Sequence, residues 1–576
     1  MDLPNKRVTV QLPFMKDPVE YLVEKHQGNS NYVQALRIYI SQCRKDARTL
    51  DGIRKAQSEL LERGFMVPMD SLDPETVKFI QDAPFKHYYL WRVVNKEDSL
   101  STPVRLVVDP TMSGLNCVLA KGENRIGSLL DIILRNRAFP YAWSSDVTKL
   151  YNQLHLERSA LPYSLFLYSE ELDPTKTPAT LVMQRAWYGV VPTGNQAGYA
   201  LEMLVDTFKD DYPAAVEPLT SHRYVDDVVS GATTPEERDL QVDQSIQVLA
   251  QGGFKYKHVI RSGEDPPEGS SSDGESCKLL GYRWNPREDM LGPGLGELNF
   301  NKKIRGAKAP NASPIHTKED AEKMMEGVTL TRQAVTARIA EFYDPAGLME
   351  PLKLQLKLHL SKLNGMDWKT KLSPEEQSFW KAKFADFVNL HTIRIPRCIV
   401  PLDCGDRDIR LVCFADAAAE ACGAAIYAGI EISPGHYTSS LVAARSKLTR
   451  ATIPRNELTA IMLMTELAYI VKRAIGPRVK EVIYISDSMI ALSWCSSLEK
   501  KLRLFVQNRV STILRMVQWT LALGDTDPLP LYHVDGEENI ADLLTKEHSI
   551  SAQDVQRALY GRLVLPGCPV LWTVCP

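Results

Sequence analysis

Several things are missing from this chain of 576 residues, and each absence narrows what it can be. No apolar run approaches the roughly 20 residues that cross a bilayer, so no membrane span is expected. The N-terminal stretch, MDLPNKRVTVQLPFMKDP, lacks the apolar core of a secretory leader. The ten cysteines stand singly with no Cys-x-x-Cys pair, which argues against a zinc ribbon or knuckle and fits a reducing compartment. There is no His/Cys cluster, no Asp-Ser/Thr-Gly of protease type and no fixed-period repeat. An excess of positive charge is also missing: the net charge is −3. That does not exclude nucleic acid, because a binding channel needs local basic residues, not global ones.

What is present is the composition of a globular chain, 44% hydrophobic and 24% charged, long enough for several domains. Residues 1–84 read as helical: QALRIYISQCRKDARTLDGIRKAQSELLERGF has helical apolar spacing, and Gly64 is a stop. Over 85–290, short β-rich runs (PVRLVVD, YAWSSDV, SLFLY, RYVDDVVSG, KLLGYRW) alternate with helical stretches. EDPPEGSSSDGES, residues 264–276, reads as a turn-rich loop between strands. Residues 291–400 read as mainly helical, with Lys353 and Lys357 on one face. A second mixed region, 401–560, opens with two strands around a polar turn, IRLVCFADAAAEACGAAIYAG, and 561–576 form a tail. The class is α+β multidomain.

HRYVDDVVSG sets Asp226 and Asp227 side by side in an apolar, β-branched run. Adjacent carboxylates repel, and burial makes that worse. Either they sit at a solvated turn or a cation holds them. The flanking β-type runs predict a hairpin with the carboxylates at its tip, where Asp tolerates unusual backbone. Another β-like run ends at Asp146, with Tyr151 five residues on. A third carboxylate on a neighbouring strand would complete a cage for two hard divalent cations, an arrangement suited to phosphoryl transfer. The plainer alternative is an exposed acidic turn.

Four more acids, Asp416, Glu457, Asp487 and Asp542, punctuate apolar segments in FADAAAEACGAAIY, IPRNELTAI, YISDSMIALSW and HVDGEENIADLLTK. Gly423 would let a strand after Asp416 pass close to its neighbour. If the four converge, they offer a second site for metal-assisted phosphodiester work. Taken one at a time, they are surface acids.

Together these stretches resemble the reverse transcriptase and ribonuclease H portion of the Pol polyprotein of BEL/Pao-class LTR retrotransposons. The resemblance rests on VRLVVDPTMSGLN, on Asp146-x-x-x-x-Tyr151 followed by Tyr-Val-Asp-Asp, and on GGFKYKH and LLGYRWN. EFYDPAGLMEPLKLQLK, IPRNELTA and HVDGEENIADLLTK carry it into the second half. It covers nearly the whole chain and is weakest over the first 80 residues. It implies a right-hand polymerase, with fingers and palm over 85–290 and thumb and connection over 291–400, followed by a ribonuclease H-like α/β domain over 401–560. The implied activity is copying retrotransposon RNA into DNA and degrading the RNA of the hybrid as an endonuclease. The alternative is a domesticated or inactive element protein that only binds nucleic acid.

By position, the resemblance makes Asp146, Asp226 and Asp227 the polymerase metal ligands, Asp226 bridging metal and substrate and Asp227 contributing less directly. Tyr151 becomes a steric gate against the ribose 2′-hydroxyl, Arg105 a triphosphate contact, and Lys257 or Lys255 a neutraliser of triphosphate charge. Pro192-Thr193-Gly194-Asn195-Gln196 replaces the Ser-Ser-Pro of relatives, which leaves Gln196 as a template or nucleotide contact. Asp416, Glu457, Asp487 and Asp542 become the ribonuclease H ligands, with His533 aiding product release. Implied cofactors are two Mg²⁺ per site, with Mn²⁺ a substitute. Implied partners are RNA template, DNA primer, RNA–DNA hybrid, deoxynucleoside triphosphates and other Pol or Gag products, in a cytoplasmic element particle or the nucleus. GRLVLPGCPVLW resembles the lead-in to an integrase region used in DNA integration, so the chain reads as an excised or partial Pol.

Overall fold

The computed structural model describes residues 1–95, 104–271, 274–294, 317–386, 390, 392–400, 407–434, 436–496, 502–523 and 529–546. GRLVLPGCPVLW and the tail lie outside the described residues. Among the described residues, no helix is long and apolar enough to cross a membrane.

Helix α1 (Ala47–Glu62) starts where the Asp46 carboxylate accepts from Thr49 N at 2.9 Å, and it ends just before Gly64, whose φ is +62°. Its buried stripe, Ile53 and Leu60, shares one core with Phe166, Leu181 and Trp187. Residues 1–84 are mainly helical, with short strands at Val8–Val10 and Met66–Pro68, and are not a separate region, because an amphipathic stripe needs a cover and residues 160–190 supply it. Strand β1 (Val104–Val108) pairs with Trp91–Asn95 against the same core.

Helix α2 (Leu129–Ala138) leads into β2 (Tyr141–Val147). After helix α3 (Thr193–Phe208) come β3 (Arg223–Tyr224), β4 (Asp227–Ala232), helix α4 (Pro235–Gln251) and β5 (Tyr256–Arg261). The four strands form an antiparallel sheet in the order β5-β2-β4-β3. Trp143 and Val228 pack with Leu201 of α3 and Leu249 of α4 on one face, Ala142 and Val229 pack with Ile132 and Ile133 of α2 on the other, and the Asp146–Asp227 end of that second face is left for chemistry.

Strands β6 (Cys277–Leu279), β7 (Tyr282–Asn285) and β8 (Met290–Pro293) make a meander. Beyond helix α5 (Glu350–Lys362), strand β9 (Ile395–Pro396) returns to pair with β8. The expected boundary at residue 290 thus cuts through a sheet. Trp284 and Leu291 bury themselves with Trp380, Phe384 and Ile395, so the meander belongs with the helical segment that follows it.

The C-terminal part contains β10 (Ile409–Ala417), β11 (Ala421–Ser433), β12 (His436–Leu448), helix α6 (Ile453–Ile475), β13 (Val479–Ser486), helix α7 (Leu504–Leu521) and β14 (Leu531–His533). Its sheet runs β12-β11-β10-β13-β14, antiparallel among the first three strands and parallel thereafter. Strand β10 is apolar on both sides because both faces are covered. Leu411, Cys413 and Ala415 meet Leu458, Ile461 and Met464 of α6, while Val412 and Phe414 share a core with Leu356 of α5.

Two buried arginines join the halves. Arg137 of α2 donates to the carbonyls of Val442 at 2.8 Å, Leu441 at 3.1 Å and Arg397 at 3.1 Å. Arg397 donates to the Phe139 and Pro140 carbonyls and pairs with Asp289 at 2.6 Å. Nearby, Arg473 of α6 pairs with Asp131 of α2. A buried guanidinium is tolerated only when its donors are used, and here carbonyls and a carboxylate use them.

Candidate active sites

The first site sits at one end of the first sheet, beyond the residues that α2 covers. Strands β2 and β4 pair so that Asp146 stands opposite Asp227. Residues opposed across an antiparallel pair project on the same face. The β3–β4 hairpin turns through Val225 and Asp226. The left-handed residue of that turn is Val225, with φ +57°, not an aspartate. A β-branched residue there is strained, so the surroundings must hold it. They do: Arg223 Nη1 donates to the Val225 carbonyl at 2.8 Å, and Val147 N donates to the Asp226 carbonyl at 2.8 Å.

Burial, then the Asp226 charge, pushes Asp146 up to about 6. Asp227 is pushed up to about 7 by burial first and then by Asp226 and Asp146. Carboxylates this crowded hold protons that a bound cation would replace.

Lys257 of β5 lines the same cavity of about 160 Å³ as Asp146 and Asp227, together with Ser144, Ser145 and Lys278. Lys255 is not among the lining residues; its carbonyl accepts from Thr148 N at 2.9 Å. The positive field of Arg105 on β1 also reaches Asp146. Tyr151 packs edge-on against Tyr188, ring centroids 4.8 Å apart, and its hydroxyl lies 3.7 Å from where a Cβ on Gly194 would stand. Tyr188 is a member of the site that motif reading passed over; burial and the charges of Asp226 and Asp146 push its hydroxyl up to about 12. Gln196 donates its side-chain amide to the Gln11 carbonyl at 2.6 Å and is occupied there.

The second site lies at one end of the C-terminal sheet. Asp416 comes from β10, Glu457 from the start of α6, and Asp487 from the residue after β13. One oxygen from each lies within 4.8 Å of the others, and among the described residues no other set of three donors draws together this closely. Burial, followed by Asp416 and Asp487, pushes Glu457 up to about 8. Asp416 is raised by burial against the opposing Thr545 hydroxyl. Glu457 Oε2 and Asp487 Oδ1 are buried with no hydrogen-bond partner. Three carboxylates with two orphaned oxygens suit a hard, oxygen-seeking cation such as Mg²⁺ or Mn²⁺.

The fourth acid, Asp542, is not among the three donors within 4.8 Å, but its charge reaches Asp416, so it lies beside the trio. Asp542 pairs with Lys546 one helical turn on. His533 is placed by register opposite Ser486, and its Nε2 lies 3.2 Å from the Asp487 carbonyl oxygen. Gly423 pairs with Asp416, and a Cβ on it would lie 2.5 Å from Leu544 Cβ. The glycine therefore admits the 3₁₀ turn Ile540–Leu544, not a neighbouring strand. That turn delivers Thr545, whose hydroxyl donates to Asp416. Thr545 and Lys546 were not singled out from sequence; the signal was there in the Asp542-x-x-x-Lys546 spacing of ADLLTK.

Comparison with known proteins bears on the segment that contains the second site. Residues 331–488 match the family model described as Pao retrotransposon-like RNaseH-like domain. The match begins well before the expected start at residue 401, takes in α5, and contains Asp416, Glu457 and Asp487 but not Asp542. No curated protein matches the chain by sequence. Among solved structures, the chain is similar to a foamy viral protease-reverse transcriptase dRH in complex with ds DNA, at 14% identity and a TM-score of 0.47, over 84% of this chain and 69% of that one. It is also similar to the foamy viral protease-reverse transcriptase in complex with RNA/DNA hybrid, at 15% identity and a TM-score of 0.47, over 88% of this chain and 56% of that one. A third, in complex with dsDNA, shows 13% identity and a TM-score of 0.47 over 84% of this chain and 83% of that one. What the comparisons show for this chain is thus a match of residues 331–488 to the Pao retrotransposon-like RNaseH-like domain, in line with the retroelement class that its motifs resemble.

Proposed function

We propose that the chain is an RNA-directed DNA polymerase with a linked ribonuclease H, each centre working by cation-assisted phosphoryl transfer. One observation carries the reading. Asp416, Glu457 and Asp487 draw within 4.8 Å of one another inside a segment matched to an RNaseH-like family, in a chain that also opposes Asp146 to Asp227 beside Asp226. Divalent cations, Mg²⁺ by the chemistry of the donors, would be held by these carboxylates and would neutralise charge on the reacting phosphate.

The chain's own side chains do the rest. Asp146, Asp226 and Asp227 fix where a primer 3′-hydroxyl meets a deoxynucleoside triphosphate, and Lys257 and Arg105 offset the triphosphate charge. The Tyr151 ring, backed by Tyr188, fills the space that a ribose 2′-hydroxyl would need. At the second site, Thr545 holds Asp416 in place and His533 stands at the exposed rim, where a cleaved RNA end would leave. The partners in this reading are RNA template, DNA primer and RNA–DNA hybrid.

The test is primer extension with deoxynucleotides on RNA template, run beside cleavage of the RNA in a labelled hybrid. Asp226→Asn should abolish extension and leave cleavage; Asp487→Asn should do the reverse. A wild-type chain that binds hybrid yet performs neither reaction with Mg²⁺ or Mn²⁺ would reduce the reading to a nucleic-acid-binding element protein.

A further inference from the structure

The second site contains a cation of its own. Lys546 pairs its ammonium with the Asp542 carboxylate. Its position is fixed on three sides. Gln355 of α5 donates to the Lys546 carbonyl at 2.8 Å, the preceding Thr545 donates to Asp416, and Thr545 Oγ1 also reaches the Asp542 carbonyl at 3.1 Å. Gly423, by lacking a Cβ, lets this turn lie directly against the strand opposite Asp416. Asp542 is not one of the three donors within 4.8 Å of one another, though its charge reaches Asp416. The charge of Lys546 is also felt at Asp416 and Glu457, where it favours the ionised carboxylates.

We propose that Lys546 is a built-in counter-ion of the Asp416–Glu457–Asp487 site: it holds Asp542 aside, so that the site takes one divalent cation readily and a second only by displacing Lys546 from Asp542. The inference rests on the reading of these carboxylates as a metal site. It makes Lys546 a positioning residue that sets how many ions the site holds. An ammonium and a divalent ion competing for one carboxylate repel each other, and the half-exposed lysine moderates that repulsion through solvent.

The test uses the full chain carrying Asp146→Asn and Asp226→Asn, so that the first site does not contribute, and titrates Mn²⁺ alone by calorimetry and by paramagnetic resonance. The parent should bind one Mn²⁺ tightly and a second weakly, the tight one lost in Asp487→Asn. Lys546→Gln should tighten the second ion by about tenfold. Lys546→Arg should behave as the parent, and Asp542→Asn should lose the second ion while keeping the first. The unfolding temperature in chelator checks that Lys546→Gln folds. If Lys546→Gln binds Mn²⁺ with the parent's stoichiometry and affinities, the inference is overturned and the metal site stands. If the parent binds no Mn²⁺ that depends on Asp487, both fall together.

Discussion

Glu457→Gln should make the metal-free chain more stable, and the gain should depend on pH. Folding raises the Glu457 carboxyl from its ordinary 4.5 to about 8, through burial and then through Asp416 and Asp487. A carboxyl raised on folding contributes stability that is fully present below 4.5 and is lost as pH rises through about 8. Each pH unit in that window removes up to about 1.4 kcal/mol, so near neutral pH the ceiling is roughly 3 kcal/mol, and relaxation of Asp416 and Asp487 lowers it. Glutamine keeps the shape, carries no charge and can donate to either neighbour. Thermal unfolding in chelator should therefore show the unfolding transition of Glu457→Gln several degrees above wild type at about pH 7.5, at roughly 2–4 °C per kcal/mol, and nearly level with it at about pH 5. Adding Mn²⁺ should narrow or reverse the difference, because only wild type keeps all three ligands and gains binding free energy. A variant less stable than wild type in chelator at the higher pH, or a gain that does not change with pH, would refute the account of this site as crowded carboxylates awaiting a cation.

Other perturbations follow from the same geometry. Gly423→Ala should displace the Ile540–Leu544 turn, since its Cβ would lie 2.8 Å from the Leu544 carbonyl oxygen; hybrid cleavage should fall at least tenfold at a cost of about 1–3 kcal/mol, with primer extension unchanged. Arg137→Ala should cost about 3 kcal/mol by leaving the Leu441, Val442 and Arg397 carbonyls without their donor, and calorimetry should show one unfolding transition becoming two. Tyr151→Ala should admit ribonucleotides in single-nucleotide incorporation; unchanged sugar selectivity would remove the gate assignment.

What could be read from the sequence was set by chemistry that demands particular residue types. A hard cation needs carboxylates, so Asp146, Asp226, Asp416, Glu457 and Asp487 stood out as acids interrupting apolar runs. Lys546 and Thr545 did not, because a lysine at helical spacing from an aspartate reads as a solvated pair. Val225 reads as strand, since nothing local says that a β-branched residue will be forced into the left-handed region. The pairing of Met290–Pro293 with Ile395–Pro396 spans about a hundred residues, and short-range patterning carries no trace of it. Arg137 and Arg397 look like surface residues until the fold places carbonyls around them.

The arginine joint has a consequence for autonomy. Strand β12 closes one side of the C-terminal sheet, and its outward carbonyls at Leu441 and Val442 are covered by Arg137, while Ala444 N donates to the Ala346 carbonyl at 2.9 Å. A C-terminal fragment lacking α2 would bare that row of backbone groups, and an unguarded edge strand is a template for pairing with another copy. The first half of the chain, through α2, thus acts as a fixed chaperone of the other half's edge. Expressed alone, the second half should aggregate unless it brings α2 with it.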